Sequence, residues 1–297
     1  MEIVGAFACS HAGLIVSHQD KGDKGKIDRV YAAFDTIRRE VEALRPDAIF
    51  IIGVDHGRIY TYANLPAFVI GVGPVARGIG DAGMAPCEIP VHQPLAQAIL
   101  GGALARDVDM AFAEDTKIDH SFVTPLSLIT PRFDVPIVPL AINCNRPPLV
   151  SLARSHAVGG RLGEALREGP PGRAVVIGTG GLSHWVGDQA RQDYLRWPAG
   201  TRIGREAEFP VVLGERGRVN EAWDLGFMAQ LGRGDATGFI RDWPNERMVA
   251  EAGNGSQEVR NWLAAAGMVN DAPLEAIAYE GIPEWHTGIG LGRFRLA

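Results

Sequence analysis

Cysteine is scarce in this chain. Three residues in 297, Cys9, Cys87 and Cys144, are too few and too scattered for a disulfide framework or a paired-cysteine metal site. They read as reduced thiols in the core of a cytoplasmic protein. Long apolar runs are missing too: none approaches the roughly 18 residues needed to span a bilayer. The opening Met1-Glu2-Ile3-Val4-Gly5 has neither the basic start nor the apolar stretch of an export signal, so none is expected. Nor is there a block of Lys and Arg. The net charge is −6, and the charged run from Asp20 to Lys26 mixes signs and contains glycine, which marks a solvated loop. Nucleic acid and anionic membrane surfaces are therefore excluded as expected partners. No internal repeat or low-complexity segment is found.

What remains is an ordinary globular composition, 46% hydrophobic and 22% charged, with enough length for one large α/β domain. Short runs rich in Val, Ile and Ala predict buried strands at Ile3–Cys9, Ala48–Gly53, Phe68–Val72, Ile137–Ile142 and Ala174–Ile177. Ile27, Val30, Tyr31, Phe34, Ile37, Val41 and Leu44 recur at helical spacing, and Pro46 punctuates that helix. Helical patterns follow at Pro94–Ala105, Val150–Arg167, Asn220–Gln230 and Ser256–Ala266. The alternation predicts an α/β fold, a mainly parallel or mixed central sheet with helices on both faces. Residues 1–297 read as one catalytic domain, with a long Gly-, Arg- and Pro-rich loop at about 185–219.

The histidines carry the chemical signal. His11 falls two residues after the first strand, His56 three after the second, and His184 follows a late strand through Gly178-Thr179-Gly180-Gly181-Leu182-Ser183. In an open α/β sheet ligands bind beyond the carboxyl ends of the strands, so these three can converge there. His120, in a loop before a helical segment, can join them. A histidine after one strand is commonly just a hydrogen-bonded loop residue; four in comparable loops point to a site. His18, His92, His156 and His286 keep the structural reading. Two histidines and a carboxylate suit a metal that must also bind substrate and oxygen. Asp55, Asp119, Asp224, Glu251 and Glu258 are all candidates for the carboxylate, and periodicity does not choose among them. Gly78-Ile79-Gly80-Asp81-Ala82-Gly83 fits a dinucleotide fingerprint, but Met84-Ala85-Pro86 follows it instead of a helix, which argues against that use. Gly181-Leu182-Ser183-His184-Trp185 lacks the closing glycine of a nucleophile elbow. Trp223, Trp262 and Trp285 read as core or pocket walls, and Arg58 as a surface arginine.

Several of these segments together resemble the class III (type II) extradiol dioxygenases, the family of the protocatechuate 4,5-dioxygenase catalytic subunit. They are Ser10-His11, Asp55-His56, Asp119-His120 with Thr124-Pro125-Leu126, Gly178 to His184, Asn220 to Asp224, Ala252-Gly253 through Glu258 to Trp262, and Ile282 to Trp285. The resemblance runs nearly end to end. It implies a mononuclear Fe(2+) site with His11, His56 and Glu258 as metal ligands, His184 as acid–base residue and His120 as a second active-site histidine. It also implies a catechol-like aromatic substrate (or an aminophenol or dihydroxypyridine), dioxygen as co-substrate, and a homo-oligomer. Glu258 is expected in the first turn of a helix capped by Ser256. Rival readings are a zinc hydrolase on the same ligand frame and a non-catalytic metal-binding homologue; retention of both His120 and His184 argues against the latter.

Overall fold

The computed structural model describes residues 1–61, 63–185 and 217–296. Most of the long loop expected at about 185–219 lies outside the described residues. Strands run β1 Glu2–Cys9, β2 Ala48–Gly53, β3 Phe68–Gly71, β4 Val75–Gly78, β5 Cys87–Pro90, β6 Ala111–Ala113, β7 Thr116–Ile118, β8 Ile137–Ile142, β9 Arg173–Thr179, β10 Leu274–Ile282 and β11 Thr287–Phe294. An eight-stranded sheet has the order β10-β11-β1-β9-β2-β8-β3-β6, and β5-β4-β7 form a small second sheet.

The centre of the large sheet is parallel: β1 pairs with β9, β9 with β2, and β2 with β8. Every residue of β2 is buried, as expected of a strand covered on both faces. The helix Lys24–Leu44 turns Ile27, Val30, Phe34, Ile37 and Val41 inward. It begins where the Asp23 side chain accepts from the Lys26 N–H, and ends at Arg45 in the left-handed region. The helix Val259–Met268 is buried along its whole length. Its neighbour Leu152–Glu168 offers glycine at the crossing: a Cβ on Gly163 would sit 2.8 Å from the Met268 Cα.

Three differences from the sequence reading have physical causes. The β10–β11 hairpin, antiparallel to β1 through β11, was not expected. Alternate glycines in Thr287-Gly-Ile-Gly-Leu-Gly suppress its strand signal. Around Ser256, Asn254–Glu258 forms a 3₁₀ turn and the α-helix starts only at Val259. The Ser256 hydroxyl donates back to Gly253 O at 2.7 Å instead of capping the helix. His120 is not a loop residue but the first residue of the helix His120–Ile129, capped by Asp119. Of the thiols, Cys9 and Cys144 are buried, whereas Cys87 is half-buried on the small sheet. No helix among the described residues is long and apolar enough to cross a membrane.

Candidate metal centre

Parallel pairing sets β1, β9 and β2 side by side, with Cys9 level with Thr179 and Ile52 level with Gly178. The chain leaving each strand therefore enters one crevice, which brings His11, His56 and His184 together from distant parts of the sequence. Glu258 arrives from the buried 3₁₀ turn. Gly180 makes room for it, since a Cβ there would lie 2.7 Å from Glu258 O.

The two imidazoles nearest Glu258 have defined tautomers. Thr179 Oγ1 donates to Ser121 O at 3.0 Å, so it accepts from His11 Nδ1, also at 3.0 Å. Asp119 Oδ2 accepts from both the backbone N–H and the Nδ1 of His56, at 2.8 and 2.9 Å. With Nδ1 donating in both rings, each Nε2 keeps a lone pair when neutral. Those atoms point at a carboxylate: His11 Nε2 is 3.1 Å from Glu258 Oε2, and His56 Nε2 is 3.2 Å from Oε1. Although buried and close to Glu258, His11 Nε2 has no hydrogen-bonding geometry to any partner among the described residues. Glu258 Oε2 also accepts from the Gly181 N–H at 2.8 Å.

This arrangement calls for positive charge between the three side chains. Burial would depress the His56 pKa, but Asp119 and Glu258 outweigh it and push it up to about 10. Burial likewise opposes ionisation of Glu258, yet the surrounding imidazoles hold its carboxyl well below the usual range. Burial, against the pull of Glu258, lowers His11. The ligand atoms of His11, His56 and Glu258 lie within 4.8 Å of one another, a group able to hold a metal ion. A cation there would serve all three side chains, as the proton on His56 Nε2, 3.2 Å from Glu258 Oε1, serves two of them, and the Asp119 and Thr179 contacts are of the kind that orient metal-binding histidines.

His184 and His120 flank the group. His184 Nδ1 donates to Leu182 O at 2.9 Å, and its Nε2 stands 3.9 Å from Glu258 Oε1. Gly255 lets the ring in, because a side chain there would overlap it. His120 stacks on His56 with ring centroids 4.2 Å apart, and Asp81 accepts from its Nδ1 at 2.6 Å and its backbone N–H at 2.9 Å.

The other candidates fall elsewhere. Asp55 accepts from the N–H groups of Arg58, Ile59 and Tyr60, shaping the loop after His56. Asp224 binds Ser183 and Tyr279, and Glu251 is on the surface against Arg247. Arg58 is exposed, and Trp223, Trp262 and Trp285 are buried. His92 caps the helix Gln93–Leu104 and His156 pairs with Asp271. Sequence reasoning missed Asp81 and Thr179. Asp81 sits in the glycine turn set aside as a false dinucleotide motif, and nothing local announces its pairing with a residue 39 positions away.

Comparison with known proteins agrees with this geometry. Residues 5–290 match the family model described as the catalytic LigB subunit of aromatic ring-opening dioxygenase. The chain is similar to proteins named 2,3-dihydroxyphenylpropionate/2,3-dihydroxicinnamic acid 1,2-dioxygenase. One, from Burkholderia vietnamiensis, is 30% identical, covering 89% of this chain and 88% of the relative. Another, from a Rhodococcus species, is 31% identical over 96% of both chains. A third, from Paraburkholderia phymatum, is 32% identical over 85% of this chain and 86% of the relative. The fold is shared with the crystal structure of an uncharacterized Escherichia coli K12 protein, with a TM-score of 0.52, 13% identity and coverage of 98% and 99% of the two chains. The chain thus belongs to the LigB family of aromatic ring-opening dioxygenases and is an extradiol ring-cleavage dioxygenase.

Proposed function

We propose that the chain uses iron(II), held by His11, His56 and Glu258, to open a catechol bearing a carboxylated side arm, with His184 and His120 handling protons. The observation that carries this reading is the pair of imidazole Nε2 atoms facing one carboxylate. Two histidines and one carboxylate leave coordination positions for substrate and oxygen, which is the preference of non-haem iron(II). When bound, iron(II) would supply the electronic link between a chelated catecholate and dioxygen.

The chain's own residues supply the rest. With Nδ1 committed to Leu182 O, His184 has Nε2 left to accept the proton a catechol hydroxyl must lose on binding. An imidazole nitrogen that can take up a proton and give it back suits that transfer and its reversal. His120, fixed by Asp81 and stacked on His56, would steer or protonate the oxygen atoms being transferred. The names of the relatives make 2,3-dihydroxyphenylpropionate the first substrate to try, with dioxygen as co-substrate. The site draws on residues from 11 to 258, and β11 pairs with β1, which supports reading the whole chain as one catalytic unit. Unpaired cysteines support a cytoplasmic setting; assembly as a homo-oligomer is carried by the family resemblance.

Protein reconstituted with iron(II) without air should consume dioxygen with this catechol and place both labelled oxygen atoms in the product. Chelation should abolish uptake, and ferrous iron should restore it. Full activity with zinc as a hydrolase, without oxygen uptake on any catechol, overturns the proposal.

A further inference from the structure

A cavity of about 400 Å³ opens between the loop after β8 and the segment leading into Glu258. Asn145, Asn245 and Gln257 give it a polar wall, and Leu149 and Val249 an apolar one. Behind the polar wall lies Arg260, fully buried. Its Nε donates to Val150 O at 2.7 Å, Nη1 to Gln257 O at 3.1 Å and to Gln257 Oε1, and Nη2 to Asn245 Oδ1 at 2.9 Å. All four acceptors are neutral. No carboxylate among the described residues comes within ion-pair distance of this guanidinium, and a buried charge without a counter-ion is costly.

The consequence reaches the cavity through the two amides. A guanidinium only donates, so the oxygens of Gln257 and Asn245 must face it and their NH2 groups must face away. No hydrogen bond from either NH2 group to another described residue is found. Asn145 Nδ2, on the same lining, is also buried without an acceptor. The Gln257 and Asn245 amides, both polarised by a buried cation, thus turn their donors away from Arg260 on the lining of this cavity, and the unsatisfied Asn145 amide is closed off beside them. Glu246, the one carboxylate among the lining residues, is exposed in the first turn of the helix Asn245–Ala252. Its charge is screened there and meets a helix N-terminus.

Both walls are joined along the chain to residues that touch the metal centre. Gln257 precedes Glu258, and Gly255 lies against the His184 ring. On the other side Arg146, next to Asn145, lies over Gly57, the residue after His56. We infer that this cavity seats the carboxylate of the substrate's side arm, with Asn245 and Gln257 donating to it, the unsatisfied Asn145 amide turning to join them, and Arg260 supplying the charge. The inference rests on the proposed function for the identity of the substrate, and it makes these residues determinants of specificity.

Asn245→Asp tests it: the side chain keeps its shape and its bond to Arg260 while supplying a counter-charge and removing one donor. For the iron(II) enzyme, the ratio of kcat/KM for 2,3-dihydroxyphenylpropionate over 3-methylcatechol should fall on the order of 10–100-fold, mainly through KM, as for loss of a hydrogen bond to a charged group. Asn145→Ala should lower the same ratio by a smaller factor, and carries the test if Asn245→Asp does not fold. Under argon, the iron(II) enzyme should bind 3-phenylpropionate but not its amide, and Asn245→Asp should weaken that binding. An unchanged ratio in folded variants overturns the inference while leaving ring cleavage intact. Binding of 3-phenylpropionate that depends on Asn245, in a protein that does not cleave 2,3-dihydroxyphenylpropionate, upholds the anion seat and removes the proposed substrate. Acetate or succinate bound at these residues without competing with the catechol overturns the inference in favour of a separate anion site.

Discussion

Glu251 and Glu258 stand seven residues apart, and their surroundings give them opposite expectations. Glu258 is buried against two imidazoles, whereas Glu251 pairs with Arg247 on the surface. On the proposed ligand set, Glu258→Gln removes the only negative charge among the three ligands. Iron titration should show binding lost or severely weakened, while Glu251→Gln retains metal and most activity. The reverse result would move the third ligand. His184 touches Glu258 only at 3.9 Å and is anchored by its own loop. Its change to Gln should leave iron content near normal and lower turnover by roughly 10²–10⁴-fold, the range for a lost acid–base group. Iron loss in that variant would make it a ligand instead.

At the scale of elements, the helix Val259–Met268 positions Glu258, and it is held by close contact with Leu152–Glu168. Gly163→Ala would press a methyl into the Met268 backbone. The clash should outweigh the gain in helix propensity and lower stability by about 1–3 kcal/mol, read as a reduced urea midpoint. Gly101→Ala makes the internal control. Its helix, Gln93–Leu104, leaves nothing within 4 Å of the new Cβ, so the same change there should stabilise by up to about 1 kcal/mol. Equal effects at the two sites would show that the helix crossing is looser than drawn.

For the whole molecule, the cluster couples metal, protons and folding. The His56 pKa is raised above its unfolded value to about 10. Its contribution to the stability of the metal-free protein is therefore full below about pH 6.5 and is lost as pH rises through about 10. The depressed carboxyls of Asp119 and Glu258 act in the opposite sense, contributing above the usual carboxylate range and failing in acid. Metal must displace the His56 proton, because a ligating imidazole is neutral at that nitrogen. Calorimetry in buffers of different ionisation enthalpy should record about one proton released per metal near pH 7.5, and none well above pH 10. Release that stays constant across this range would show that His56 is not protonated in the metal-free protein.

The sequence by itself determined the parallel core, because β2, β8 and β9 are continuous apolar runs that only a doubly covered sheet can bury. It also determined that histidines stand just past strand ends, since that is a matter of counting along the chain. From periodicity alone, five carboxylates remained equal, and a glycine turn containing Asp81 looked like a failed nucleotide motif. Tertiary structure decided those points. Strand order brought residues 11, 56 and 184 to one crevice, and close backbone approach at Gly180 admitted Glu258. The outer contacts were equally illegible: Asp81 with His120, Thr179 with His11, and Arg260, without a counter-ion among the described residues, behind its amides. Each joins residues far apart in the chain, except Gln257 to Arg260. Local pattern records which face of an element is apolar, whereas a tautomer or a missing counter-ion depends on partners that only packing supplies.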